Sequence, residues 1–170
     1  MIHIKAEGLR GAANVLSHNG RNSLTAMFAN DETPLGKGYA VYCLFEDKAE
    51  KDIKIVRAQL EPENELEFPS LTPLFPAAAW YEREIYDLFG IKPLEHPDLR
   101  PLVLHEGFPK GFYPMRKTIP CDSHVAGKRD YPLAKAQGEG LFEVPVGPIH
   151  AGIIEPGHFC FSQAGEAVLQ

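Results

Sequence analysis

Trp80-Tyr81-Glu82-Arg83-Glu84-Ile85-Tyr86-Asp87-Leu88-Phe89-Gly90-Ile91 is the stretch from which the rest of the chain can be read. Tyr81, Ile85, Leu88 and Phe89 fall at i, i+4, i+7 and i+8, the apolar stripe of an α-helix. Gly90 is a natural stop, since glycine accepts the left-handed conformation that closes a helix. Upstream, Thr72 can cap the helix and Pro73 can take its first position, where a missing N–H costs nothing. Pro76 then lies within the first turn or restarts the helix. The remaining surface is charged. Arg83 and Asp87 stand one turn apart and can pair, and Trp80, Glu84 and Asp87 lie near one face. Three readings of those charges are open. They form a solvated mixed-charge surface, paired carboxylates for acid–base chemistry, or an interface pinned by a partner's loops.

Toward the N-terminus, residues 53–60 (IKIVRAQL) are rich in β-branched side chains, and residues 39–45 (YAVYCLF) are apolar on both faces, as in a covered central strand. Leu24, Ala26 and Phe28 alternate with Thr25 and Met27, a further strand with the first three on one side. Short turns between these strands favour an antiparallel meander. Leu9, Ala12, Ala13 and Leu16 mark a short amphipathic helix that Asn19-Gly20 can end. The expectation over about residues 1–90 is an α+β fold, a small and mostly antiparallel sheet with two helices on one face.

Beyond Gly90, Pro93, Pro97, Pro101, Pro109, Pro114 and Pro120 interrupt regular structure. The same stretch carries Leu94, Leu99, Leu102, Val103, Leu104, Phe108 and Phe112, more apolar surface than a disordered linker holds. Residues 91–120 therefore read as an ordered, extended Pro-rich arm. Residues 121–140 read as a polar linker. Residues 141–146 and 159–161 are strand-like and flank a Gly/Pro/His loop, a β-hairpin-like tail.

A net charge of −6 without a basic stripe argues against nucleic acid as a partner. No apolar run approaches the roughly 20 residues of a spanning helix, and the N-terminus lacks the pattern of a signal peptide. Three widely spaced cysteines, Cys43, Cys121 and Cys160, read as reduced intracellular thiols. They form no Cys-x-x-Cys pair for nickel and iron and no iron–sulfur cluster motif. Cys121-x-x-His124 supplies only two of the ligands a zinc site needs, and no Gly-x-Gly-x-x-Gly is present. The chain itself is thus expected to hold no metal or redox cofactor.

Trp80-Tyr81-Glu82-Arg83-Glu84-x-x-Asp87-x-Phe89-Gly90-Ile91, followed by His96-Pro97-Asp98-Leu99-Arg100-x-Leu102, resembles the signature of the complex I C-subunit (30 kDa subunit) family. The resemblance implies a cofactor-free subunit that braces the peripheral arm, its C-terminal part running over the neighbouring catalytic subunit. Glu82, Arg83, Glu84, Asp87, Gly90, His96, Pro97, Asp98 and Arg100 become interface and signature residues over a domain of residues 1–120. Residues 145–159, Pro-Val-Gly-Pro-Ile-His-Ala-Gly-Ile-Ile-Glu-Pro-Gly-His-Phe, resemble the opening of a D-type or [NiFe]-hydrogenase large subunit. The wording is closer to formate hydrogenlyase and hydrogenase-4-like large subunits, which fuse the two modules in this order. Residues 141–170 would then begin that second domain. Cys160 departs from the pattern, which has Arg after His-Phe.

By this resemblance His150 and His158 belong to a loop near the quinone or active site of the intact protein, and the [NiFe] site lies downstream or in a partner. The implied function is a non-catalytic assembly domain of a membrane-associated electron-transfer complex. Its partners would be an iron–sulfur subunit and the large subunit, with membrane-arm subunits reached indirectly. The implied location is cytoplasmic, against the inner face of the membrane. A subunit of an NADH:quinone oxidoreductase-like complex is the alternative within that class. The alternative from another class is a small acid–base enzyme using Glu82, Glu84 or Asp87 with His96; burial of these groups in a concave pocket would favour it.

Overall fold

The computed structural model describes residues 1–17, 22–61, 65–105, 107–125, 137–149 and 152–169. The chain forms two compact units, Met1–Arg129 and Asp130–Gln170. In the first, strand β1 (Ile2–Lys5) leads into helix α1 (Leu9–Ser17) and then into strands β2 (Asn22–Asp31), β3 (Tyr39–Asp47) and β4 (Asp52–Leu60). The sheet order is β1-β4-β3-β2. β2, β3 and β4 form the antiparallel meander expected from their short turns, and β1 adds in parallel beside β4. The α+β class, the mostly antiparallel sheet and the two helices packed on it match the sequence reading.

Alternation along β3 and β4 sends Val41, Cys43, Phe45, Val56, Ala58 and Leu60 to the helix-covered face, all buried. Leu9 and Ala13 of α1, with Ala78, Ile85 and Phe89 of α2 (Ala78–Phe89), complete this core. Each large side chain so buried contributes about 1.5–3 kcal/mol. The opposite face is only partly covered among the described residues. Phe28 stacks on Tyr42 at 5.2 Å, and the Tyr42 hydroxyl donates to Glu32 at 2.5 Å. Arg57 pairs with Glu32 and lies 5.9 Å over the Tyr42 ring.

Two expectations are corrected here. Leu24, Ala26 and Phe28 do not share a face. The register passes from Leu24↔Phe45 to Ala26↔Leu44, leaving Thr25 as an extra residue. That bulge reverses the alternation, so Leu24, Met27 and Ala29 point inward while Phe28 is 47% exposed. Helix α2 also begins later than Thr72-Pro73, with Ala77 as its N-cap residue. Pro76 disfavours helical geometry at the residue before it, so residues 71–75 form turns instead, with Leu74 and Phe75 N–H groups donating to the Leu71 carbonyl. The helix end is as expected: Gly90 has φ 68° and its N–H donates to the Tyr86 carbonyl.

Two three-residue strands, β5 (Glu67–Pro69) and β6 (Lys92–Leu94), pair in parallel on either side of α2 in the chain. After β6 the arm runs to Pro120, and its described residues form turns and bends but no helix or strand beyond β6. In the second unit, β7 (Leu141–Val146) and β8 (Phe159–Ala164) form an antiparallel hairpin, and β9 (Ala167–Val168) joins β8. This is the expected hairpin-like tail. No described helix is long and apolar enough to cross a membrane.

Candidate functional site: the second helix and its arm

Glu82 is buried completely, contrary to a wholly solvated reading of the helix charges. Its Oε2 accepts from the Ser70 hydroxyl at 2.6 Å and the Thr72 hydroxyl at 2.9 Å, and its Oε1 accepts from the Leu71 N–H at 2.5 Å. A buried carboxylate with so many donors is satisfied where a bare one would be strongly destabilising. Beside it, His96 Nδ1 accepts from the Asp98 N–H at 3.0 Å and Nε2 faces the Ala79 carbonyl at 3.2 Å. A carbonyl only accepts, so Nε2 carries the proton and the ring is the uncharged tautomer. The 3.7 Å approach of His96 to Glu82 is then a dipolar contact rather than an ion pair. Glu84 is exposed.

Arg83 does not pair with Asp87. Its Nε and Nη2 donate to the carbonyls of Arg100 and Pro101, each at 2.8 Å. Asp87 Oδ2 accepts from the N–H groups of Leu102 at 2.8 Å, Val103 at 2.8 Å and Leu104 at 3.2 Å. The physical reason is the arm itself. Its backbone lacks a strand partner here, and unpaired peptide groups against a protein surface need partners. One helix turn supplies a cation for two carbonyls and an anion for three amides, all charge-assisted bonds. Asp98 and Arg100 then pair with each other at 2.7 Å. The Arg100 guanidinium and backbone N–H hold the Asp98 carboxyl down at about 2. Pro97 is exposed beside this pair.

The arm is held a second time at the C-terminal end of α2. Arg116 Nε donates to the Phe89 carbonyl at 2.7 Å, placing a cation at the negative end of the helix dipole. The same guanidinium lies 4.5 Å over Tyr113 and 5.5 Å over Tyr39. The Met115 N–H donates to the Leu88 carbonyl at 3.1 Å, and the Lys117 N–H to Asp31 Oδ2 at 2.7 Å. Gly90 is required twice over. Its φ is left-handed, and a Cβ there would meet the Tyr113 ring at 2.4 Å. Between the two anchorages the arm and α2 enclose an open cleft of about 480 Å³, lined by Tyr86, Leu104, His105, Phe108, Phe112 and Tyr113 among others.

This geometry weighs against the acid–base reading. Of Glu82, Glu84, Asp87 and His96, only Asp87 lines the cleft, and its Oδ2 is occupied by amides. Sequence reasoning missed Ser70, Asp31, Tyr113 and Arg116, and gave Thr72 a capping role where it instead donates to Glu82. The spacing of Ser70 and Thr72 from Glu82 has no local pattern, and Arg116 lies across the arm. Among the described residues, no group of three or more His, Cys, Asp or Glu is placed to hold a metal ion. His158 sits in the second unit, exposed, with Cys160 beside it. His150 lies outside the described residues.

Residues 2–125 match the family described as respiratory-chain NADH dehydrogenase, 30 Kd subunit. Hydrogenase-4 component G of Escherichia coli (strain K12) is 36% identical over 174 residues, covering 99% of this chain and 31% of the relative. Formate hydrogenlyase subunit 5 of the same organism is 34% identical, covering 99% and 30%. This chain thus spans under a third of the length of either relative. The C-subunit of the NADH-quinone oxidoreductase of Chelativorans sp. (strain BNC1) is 46% identical over 70 residues, which is 41% of this chain and 34% of that one. Among solved structures, a trypsin-resistant fragment of Nqo5 superposes with a TM-score of 0.52 at 25% identity, over 57% of this chain and 80% of its own. A chain of the membrane-bound sulfane sulfur reductase, an archaeal respiratory membrane complex, shares the fold with a TM-score of 0.58 at 20% identity over 69% of each. The sheet with its two helices, the signature helix and the match across most of the chain agree: this protein belongs to the respiratory-chain NADH dehydrogenase 30 Kd subunit family.

Proposed function

We propose that this chain is a non-catalytic assembly domain of a membrane-associated, multi-subunit electron-transfer complex, the N-terminal part of a formate hydrogenlyase or energy-converting [NiFe]-hydrogenase large subunit. The observation that carries the reading is the double anchorage of the arm on α2. Charged side chains that an enzyme could use for chemistry hold backbone instead. Such bracing suits a part that keeps redox groups on neighbouring subunits in register. The two relatives matched over 99% of this chain favour the hydrogenase branch.

In this reading residues 1–120 are the bracing domain, 121–140 a linker and 141–170 the opening of the large-subunit-like domain. Trp80, 64% exposed, and exposed Glu84, Pro97 and Arg100 face partners. Those partners are an iron–sulfur subunit and the large-subunit domain, which places the chain at the inner face of the membrane through other subunits. His150 and His158 serve the active-site loop of the intact protein, whose [NiFe] site lies outside this chain. The match to the C-subunit of an NADH-quinone oxidoreductase supports a quinone-linked parent complex as the second reading. Two Cys-x-x-Cys pairs elsewhere in the same polypeptide or its large subunit would decide for hydrogenase.

Arg83→Lys and Asp87→Asn in the intact complex test the bracing role. Lysine cannot present the two-pronged donor, and asparagine loses the negative charge that gathers the amides. Both should reduce the yield of assembled complex several-fold while turnover per assembled complex stays near normal. Full assembly with lost turnover would overturn the reading.

A further inference from the structure

The cleft between α2 and the arm holds a charge that the first unit leaves half engaged. Asp87 lines it, and the amides of Leu102, Val103 and Leu104 all converge on one oxygen, Oδ2. Oδ1 has no hydrogen-bond partner among the described residues. Three neutral amides satisfy a carboxylate oxygen without cancelling its charge. The cation one turn away is engaged elsewhere, since Arg83 donates to the Arg100 and Pro101 carbonyls.

The walls beside Asp87 are aromatic. Tyr86, Phe108 and Phe112 line the same cleft. Phe108 and Phe112 stack at 6.1 Å, and the His105 ring packs on Phe108 at 4.7 Å. The face of such a ring is negative, and the flat, weakly hydrated guanidinium of arginine is the side-chain cation best suited to lie on it. The first unit makes this contact repeatedly with its own arginines. Arg57 lies over Tyr42, Arg83 over Trp80, and Arg116 over Tyr39 and Tyr113. Among the described residues, Tyr86, Phe108 and Phe112 carry no such cation.

Lys110 also lines the cleft, and it is exposed. Its ammonium stays in water on a flexible stem, so it opposes a cationic guest only through screened repulsion. An anionic guest would meet both the carboxylate and the negative ring faces. A volume of about 480 Å³ is that of a small-ligand site. It has room for one long side chain and the peptide that bears it.

We propose that this cleft receives an arginine side chain from a neighbouring subunit, its guanidinium stacked on the Tyr86, Phe108 and Phe112 walls and hydrogen-bonded to Asp87 Oδ1. The proposal rests on the assembly reading for the source of the arginine and adds the chemistry that recognises it. Asp87 then holds the arm with one oxygen and the partner with the other.

The probe is acetyl-arginine-amide, titrated into the unsubstituted 170-residue chain and followed by NMR of the aromatic ring signals. The Tyr86, Phe108 and Phe112 signals should shift and saturate, while the exposed Trp80 indole stays unmoved. Acetyl-citrulline-amide has the same shape without the charge and should bind roughly 10-fold more weakly. Acetyl-glutamate-amide should leave the rings unmoved. Equal binding of the arginine and citrulline amides would overturn the proposal without any variant having to fold. Lys110→Ala should tighten the arginine amide about 2-fold; weaker binding there would make the cleft an anion site and overturn the proposal too. In the intact complex, Phe108→Leu should lower the yield of assembled complex while turnover per assembled complex stays near normal. A normal yield for Phe108→Leu beside a lowered yield for Arg83→Lys would overturn the arginine site and leave the bracing role standing.

Discussion

Phe45 and Phe159 are both strand phenylalanines, yet the first is fully buried and the second 51% exposed. Phe45 lies on a four-stranded sheet whose one face is closed by two helices. Phe159 lies on a three-stranded sheet in a unit whose described residues include no helix and, as buried side chains, only Ser162. The first unit closes a core with its own elements. The second carries an apolar sheet face that its own strands do not cover. Strand propensity alone is therefore a poor guide to burial; what matters is whether a second layer exists.

The largest effect that could break this contrast is expected at Glu82. Replacing it with Ala leaves the Ser70 and Thr72 hydroxyls and the Leu71 N–H without their acceptor inside the first unit. The expected loss is on the order of 3 kcal/mol, measured by urea unfolding with far-UV circular dichroism. A loss below about 1 kcal/mol would mean that the interior relaxes as easily as a surface. Gly90→Ala comes next, at about 2–3 kcal/mol, from the left-handed φ and the Tyr113 contact together. Combining it with Tyr113→Ala should cost less than the sum of the two single changes; strict additivity would remove Tyr113 from the account.

The acid limb is smaller. Arg57 and Tyr42 hydrogen bonds hold the Glu32 carboxyl below its ordinary range, against burial. Burial raises that of Asp31, but bonds from Thr33 and the Lys117 N–H outweigh it and leave it lowered. A lowered folded value means the contribution is complete above the unfolded value, near pH 4, and is lost as pH falls through the folded one. Glu32→Gln should therefore flatten the stability decline below about pH 4, and an unaltered decline would count against this pairing. Phe159→Ala is expected to be the smallest, within about 0.5 kcal/mol in the same unfolding assay. A cost of about 3 kcal/mol, as for a core phenylalanine, would erase the contrast between the units.

What could be read in advance was periodic and local: the Tyr81, Ile85, Leu88 and Phe89 stripe, the Gly90 stop, the meander and the tail hairpin. The Thr25 bulge could not be, because an extra residue in a strand shifts phase without changing composition. β1, β5 and β6 are too short for alternation to register. At the candidate site the residues were identified but their partners were not. Arg83 and Asp87 look like a pair from spacing, and both turn instead to peptide groups that every residue possesses. The burial of Glu82 depends on Ser70 and Thr72, which precede the helix by a turn-rich segment whose path spacing does not reveal.

The grip of α2 falls on backbone, and this governs how the arm can change over time. Arg83 and Asp87 read main chain between Arg100 and Leu104, so their grip does not depend on which side chains stand there, and the exposed Val103 can change while the register holds. One substitution is barred. Pro101 offers its carbonyl and needs no N–H, whereas a proline at Leu102, Val103 or Leu104 would delete an amide that Asp87 gathers. The arm can therefore change its outward chemistry to follow a changing neighbour without losing its own hold on the helix.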